Sequence, residues 1–173
     1  EISGICISIL GFLLLLGLVS YSPSDPNFIF PENTEIKNWL GSRGSYISDL
    51  FFQSIGLIAY LIPITYIITG VNIFRKKEIF PIIESSFFII LYSLIGSLFF
   101  SFFYKDTYAL YINGNGGFVG TYLNKLFFIS FLQSYENIFY FLFVLIIIIF
   151  FLISINFQLK GFVETIKNIF RLF

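Results

Sequence analysis

Histidine is absent from this chain of 173 residues. That absence removes the commonest general base and the commonest metal ligand. A single cysteine, Cys6, excludes an internal disulfide and, inside an apolar run, reads as a small buried residue. Charge is scarce: 12% of residues carry it, and ten basic residues balance ten acidic ones. A basic nucleic-acid-binding surface is therefore not indicated in this segment. Acidic residues sit at the ends of the apolar runs or between them, with Glu84 at the edge of one. A proton relay or ion pathway would place ionisable groups well inside.

What the chain has is apolar length. Apolar residues make up 57% and mean hydropathy is +0.90, too little polar surface to cover a soluble core. Four uncharged runs, Ile2–Val19, Leu50–Phe74, Ser85–Phe103 and Ile138–Ile155, are long enough for a hydrocarbon core of about 30 Å, which takes about 20 helical residues. They lack the alternation of a membrane strand, so helices must satisfy their backbones. The expected fold is an all-α integral membrane bundle of four transmembrane helices with short outer amphipathic helices. It forms one domain over residues 1–173, with spans at about 2–20, 50–74, 82–103 and 136–156. The first run has no basic segment before it and is long for a signal-peptide core, so it reads as a span. A start at Glu1 rather than Met reads as a fragment or a missing short leader.

Orientation follows from the cations. Arg75, Lys76 and Lys77 crowd the short second connection, and Lys160, Lys167 and Arg171 follow the last span. Lys37, Arg43, Lys105 and Lys125 are spread over two long connections. The positive-inside rule puts both termini in the cytoplasm and residues 20–49 and 104–137 outside. Tyr21, Tyr46, Tyr104, Tyr108, Tyr111, Tyr122, Tyr135 and Tyr140 cluster toward that outer side, as interfacial tyrosines do.

Small residues mark candidate helix contacts: Gly4, Ser8 and Gly11 in the first span; Gly56, Pro63 and Gly70 in the second; Ser93, Ser97 and Ser101, beside Gly96, in the third. Gln53, Thr65, Thr69 and Asn72 read as cross-helix hydrogen-bonding groups. Pro63 is expected to kink the second helix. The fourth span has almost no small residues and is expected to face lipid or to pack through bulky side chains. Outside the spans, Thr34 is placed to cap a short helix Glu35–Leu40 ended by Gly41, and Ser45 and Asp49 suit the start of the second helix. Val119, Tyr122, Leu123, Leu126 and Phe127 recur at helical spacing, which predicts an interfacial or partly re-entrant helix from about Gly120 to Leu132. The stretch Gly114–Tyr122 has the glycines of a phosphate loop but no lysine after Gly120, so it reads as a flexible turn. No catalytic, cofactor or metal constellation emerges.

Two strings are more particular. After the first span, GFLLLLGLVSYSPSDPNF carries Ser20, Tyr21, Ser22, Pro23, Asp25 and Pro26. In the second, NWLGSRGSYISDLFFQSIGLIAYLIP carries Gly41, Gly44, Asp49, Phe52, Gln53, Gly56, Ala59, Tyr60 and Pro63, followed by FRKK. With GGFVGTYLNKLF before the last span, the chain resembles the N-terminal four-transmembrane region of FtsK/SpoIIIE-type bacterial DNA translocases. The resemblance implies a membrane anchor at the division septum that contacts divisome membrane proteins in the bacterial inner membrane. It also implies a hexameric ATPase motor, using ATP and magnesium, and DNA-binding domains beyond Phe173. No catalytic, cofactor or metal residue falls in this segment, and the matched positions are structural. Two other readings stay open: a motor-less membrane scaffold of the division machinery, and a small channel or transporter.

Overall fold

The computed structural model describes residues 1–27, 35–104, 112–126 and 134–157. Among them the chain is all-helical: α1 (Ile2–Val19), α2 (Gly41–Ile55), a 3₁₀ segment (Gly56–Tyr60), α3 (Leu61–Lys76), α4 (Pro81–Phe103), α5 (Gly117–Leu126) and α6 (Glu136–Ser154). Four stretches, α1, Gly41–Lys76, α4 and α6, are long and apolar enough to cross a membrane. Thr34, Lys105, Tyr108, Tyr111, residues 127–132 and the tail cations Lys160, Lys167 and Arg171 lie outside the described residues.

Local chemistry sets the ends. The Ser20 hydroxyl donates to the Leu16 carbonyl at 2.7 Å and closes α1, and Pro23 and Pro26 lie just beyond. Pro81 opens α4 at a position that needs no amide partner. Arg75 and Lys76 occupy the last turn of α3, facing the negative end of its dipole, and Lys77 ends it at φ 60°.

The second span is not one kinked helix. It breaks at Gly56, whose φ of 72° and ψ of −149° suit glycine alone. Pro63 lies seven residues later, in the first turn of α3, where a missing amide costs no intrahelical bond. The expected kink at Pro63 is thus replaced by a break at Gly56. The 3₁₀ segment and α3 together run about 34 Å, enough to cross the core without α2.

Helix α3 holds the bundle together. It runs antiparallel to α1 along the small residues expected to mediate contact. A Cβ on Gly4 would sit 2.6 Å from the Gly70 carbonyl, one on Gly11 would sit 3.0 Å from that of Pro63, and the Ser8 hydroxyl donates to Ile67 at 3.2 Å. On its other side α3 meets α4 and the end of α6. Thr65 shares hydrogen bonds with Tyr92 (3.1 Å) and Ser154 (3.3 Å). Thr69 pairs with Ser85 at 2.8 Å, and Asn72 donates to the Ile155 carbonyl at 3.1 Å. α4 and α6 pack antiparallel through rings, with Tyr140 meeting Phe99 at 5.3 Å and Phe103 at 5.2 Å between centroids. Only Ser154 of α6 is buried, in line with its lack of small residues.

Other expectations are corrected. Residues 35–40 form an extended lead-in and turn, and Gly41 starts α2 rather than ending a helix. Ser45 and Asp49 therefore lie within α2, not at a helix start. Cys6 is exposed on α1. α5 begins three residues before Gly120. Gly120 is buried against α4 and Gly117 against the Gly56 break, Asn124 reaches the Ser101 carbonyl at 3.4 Å, and Phe118, Tyr122 and Leu126 point outward, as the apolar face of an interfacial helix does. Small residues let backbones approach, and lipid accepts the bulky ones.

Gly4→Leu is expected to cost about 1–3 kcal/mol by overpacking α1 against the α3 backbone. It should lower the melting temperature in detergent, whereas Ile9→Ala on the exposed face should leave it nearly unchanged.

Candidate functional site

The SYSPSDP turn folds into a knot over the end of α1. Ser22 and Ser24 hydroxyls lie 2.8 Å apart, and the Asp25 amide donates back to the Ser22 carbonyl at 3.1 Å. That turn buries the Asp25 side chain to 3% exposure and aims both its oxygens at the lead-in to α2. Oδ1 accepts from the Lys37 amide at 3.0 Å and Oδ2 from the Asn38 amide at 2.8 Å. Asn38 in turn donates through Nδ2 to the Gly17 carbonyl at 2.8 Å, and its Oδ1 accepts from the Leu40 amide at 3.1 Å. Ser20 accepts from the Trp39 amide at 3.1 Å, and Ser45 donates to the Pro26 carbonyl at 2.7 Å. Gly44 sits so close to Asn38 that any Cβ would overlap its amide. Hydrogen bonds to a carboxylate are about twice as strong as neutral ones, so Asp25 is the clamp between α1 and α2.

A second carboxylate ties this knot to the helix break. Asp49, 3% exposed, accepts from the Tyr21 hydroxyl at 2.9 Å and from Gln53 Nε2 at 3.5 Å. The Tyr21 ring packs on Phe52 at 4.9 Å, and Phe52 on Tyr60 at 5.2 Å. Gln53 then reaches the connection after α4: its Oε1 accepts from Asn113 Nδ2 at 3.1 Å, and its carbonyl accepts from the same nitrogen at 3.2 Å. Two other backbone groups freed by the break are also met. Ser97 of α4 donates to the Ile55 carbonyl at 2.8 Å, and the Leu57 amide donates to the Asn115 carbonyl at 2.9 Å. Asn115 Nδ2 donates to the Tyr104 carbonyl. The Tyr104–Tyr140 hydroxyl pair, 2.9 Å apart, closes the same end and holds the Tyr104 phenol above its usual pKa.

Of the positions that stand out in the sequence, the structure brings Ser20, Tyr21, Asp25, Pro26, Gly41, Gly44, Asp49, Gln53 and Gly56 into one region. Ser22 shapes its turn, Pro23 is exposed, and Pro63 lies apart, against α1. Asn38, Asn113 and Asn115 also belong to the network, beyond what the sequence leads one to expect, and Ser97, expected as a helix contact, supplies one of its donors. The signal for the asparagines is weak: short amides next to glycines read as turn formers. Among the described residues no cluster of three acids or cysteines is placed to hold a metal. Gly114–Gly117 serve as the close-packed turn against Gly56. Most of the region's donors and acceptors are turned on one another, which holds its segments together; among the described residues the buried Asn115 Oδ1 has no partner.

Comparison with known proteins agrees in one direction. Residues 1–167 match the family described as the 4TM region of DNA translocase FtsK/SpoIIIE. The DNA translocase FtsK of Shewanella oneidensis is 34% identical over 91 residues, which is 52% of this chain and 10% of that protein. That of Rickettsia bellii is 34% identical over 77 residues, 44% of this chain and 10% of the relative. That of Rickettsia typhi is 28% identical over 97 residues, 56% and 13% respectively. The matched part thus spans about a tenth of these relatives' length. No solved structure matches the chain.

Asp49→Ala strands the Tyr21 hydroxyl and the Gln53 amide, and Tyr21→Phe, which keeps the ring contacts, leaves the buried Asp49 carboxyl with, among the described residues, only the 3.5 Å Gln53 contact, so each is expected to destabilise by about 1–3 kcal/mol. Thermal melts in detergent measure both, and a negligible effect of either would refute the stranded-group account. Gly56→Ala should exceed both, because it adds strain and drives a Cβ into the Asn115 carbonyl.

Proposed function

We propose, because this chain belongs to the family of FtsK/SpoIIIE four-transmembrane regions, that it is the membrane-anchoring domain of a DNA translocase that couples chromosome segregation to cell division at the septum. The match over residues 1–167 carries the proposal. The chain has no catalytic role in it. A motor in the remainder of the protein uses ATP and magnesium, assembles as a hexamer and contacts DNA. Anchoring several copies together raises the local concentration of that motor, and divisome membrane proteins are its partners in the bilayer.

In this reading the chain sits in the inner membrane with both termini in the cytoplasm. Two features support the sidedness. Arg75 and Lys76 end α3, with Lys77 2.8 Å from Glu1, and Tyr21, Tyr104 and Tyr140 gather at the opposite end with the knot. A channel or transporter is disfavoured because Thr65, Thr69, Asn72 and Ser85 are hydrogen-bonded between helices. A motor-less division scaffold shares every feature of the membrane domain and differs only in what the gene encodes next.

Three measurements test this. Reading the gene beyond Phe173 should reveal a phosphate-loop ATPase; an early stop there favours the scaffold. In a Cys6→Ala background, a membrane-impermeant thiol reagent should label Ser24→Cys on intact cells and Lys76→Cys only after lysis; the reverse overturns the orientation. A fluorescent fusion should concentrate at the division septum, and uniform membrane signal counts against septal anchoring.

A further inference from the structure

At the end of the bundle opposite the knot, a cleft of about 600 Å³ opens between the end of α3 and the residues just after α6. Ile68, Asn72, Arg75, Lys76, Asn156 and Phe157 are among the residues that line it. Among the described residues every charged residue in the lining is cationic, and neither Arg75 nor Lys76 is paired with a carboxylate. Asn156 is held at φ 52°, in the left-handed region that asparagine tolerates. Among the described residues its buried Nδ2 has no acceptor, a costly state for a polar group. Asn72 is already engaged with the Ile155 carbonyl at 3.1 Å, which fixes the wall beside it. The chemistry of this lining is cations and a spare amide donor set between Ile68 and Phe157, at the level where the spans leave the membrane.

We propose that the cleft binds the phosphate headgroup of an anionic phospholipid. Arg75 supplies a planar fork that matches phosphate oxygens and Lys76 a point charge, with Asn156 in the turn beside them. The acyl chains run along the exposed apolar flank of α6, where Ile149 and Ile153 face outward. A lipid fits better than a free anion because Ile68, Ile155 and Phe157 share the lining with the cations, which stand at a span end where they attract anionic headgroups. The proposal rests on the membrane reading of the chain but not on its sidedness or on any motor.

Native mass spectrometry of the detergent-purified chain tests it, with phosphatidylglycerol, cardiolipin and phosphatidylcholine offered in equal amounts. Phosphatidylglycerol or cardiolipin should be retained over phosphatidylcholine. Arg75→Gln and Lys76→Gln should each weaken retention about fivefold. Asn156→Asp keeps the left-handed turn but adds a like charge; it should weaken retention if the cation variants fail to fold. Arg43→Gln, at the other end, should change nothing. Equal retention of all three lipids, or retention unaffected by these cleft variants, overturns the proposal. Displacement of the lipid by millimolar inorganic phosphate would identify a free-phosphate site instead and overturn the lipid assignment. If the chain stays soluble and monodisperse without detergent, the membrane reading itself fails, a result separable from the rest.

Discussion

A helix broken at the end of a span must find other partners for the backbone groups it releases, because each buried group left unmet costs free energy. The break at Gly56 releases the carbonyls of Gln53 and Ile55 and the amide of Leu57. These are met by Asn113, Ser97 and Asn115. That requirement brings the connection after α4 back into the bundle, seats α5 against α4, and leaves α2 free to fold over the end of α1. The Asp25 and Asp49 clamps then join the pieces that the break has separated. The packing of the knotted end follows from one non-helical glycine.

The interior of this molecule is selected by size and hydrogen bonding more than by hydrophobicity. Gly4, Gly11 and Gly70 occupy the α1–α3 seam, Ser97 and Ser101 meet Gly116 and Gly120, and Thr65, Thr69 and Ser85 are fully buried. Leu10, Phe141 and Phe118 face outward. Removing large apolar side chains from lipid contact gains nothing, so close approach and matched polar groups decide what goes inside. α6 departs from this pattern: without small residues it joins through aromatic edges, and it is buried at Ser154 alone.

Much of this architecture is legible in the amino-acid sequence. Four charge-free runs yield four helices long and apolar enough to span, since lipid allows few other solutions. The small-residue stripe of α1 and the cross-helix roles of Thr65, Thr69 and Asn72 are readable too, because those residue types have few other uses in an apolar run. The site is only half legible. Ser20, Tyr21, Asp25, Asp49 and Gln53 stand out, but their partners Asn38, Ser97, Asn113 and Asn115 lie far off along the chain, and pattern carries no pairing information. Two departures share a cause. The Pro63 kink and the Glu35–Leu40 helix follow from local propensity, and tertiary hydrogen bonding overrides it at Gly56 and Asn38.

The pairing at Gly56 has a consequence for how the protein is made. Ribosomes deliver the chain from its N-terminus, and the segment around Gly56 enters the bilayer before Ser97, Asn113 and Asn115 have been synthesised. The groups at the break therefore reach their final pairing only once the third span and the turn after it are in place.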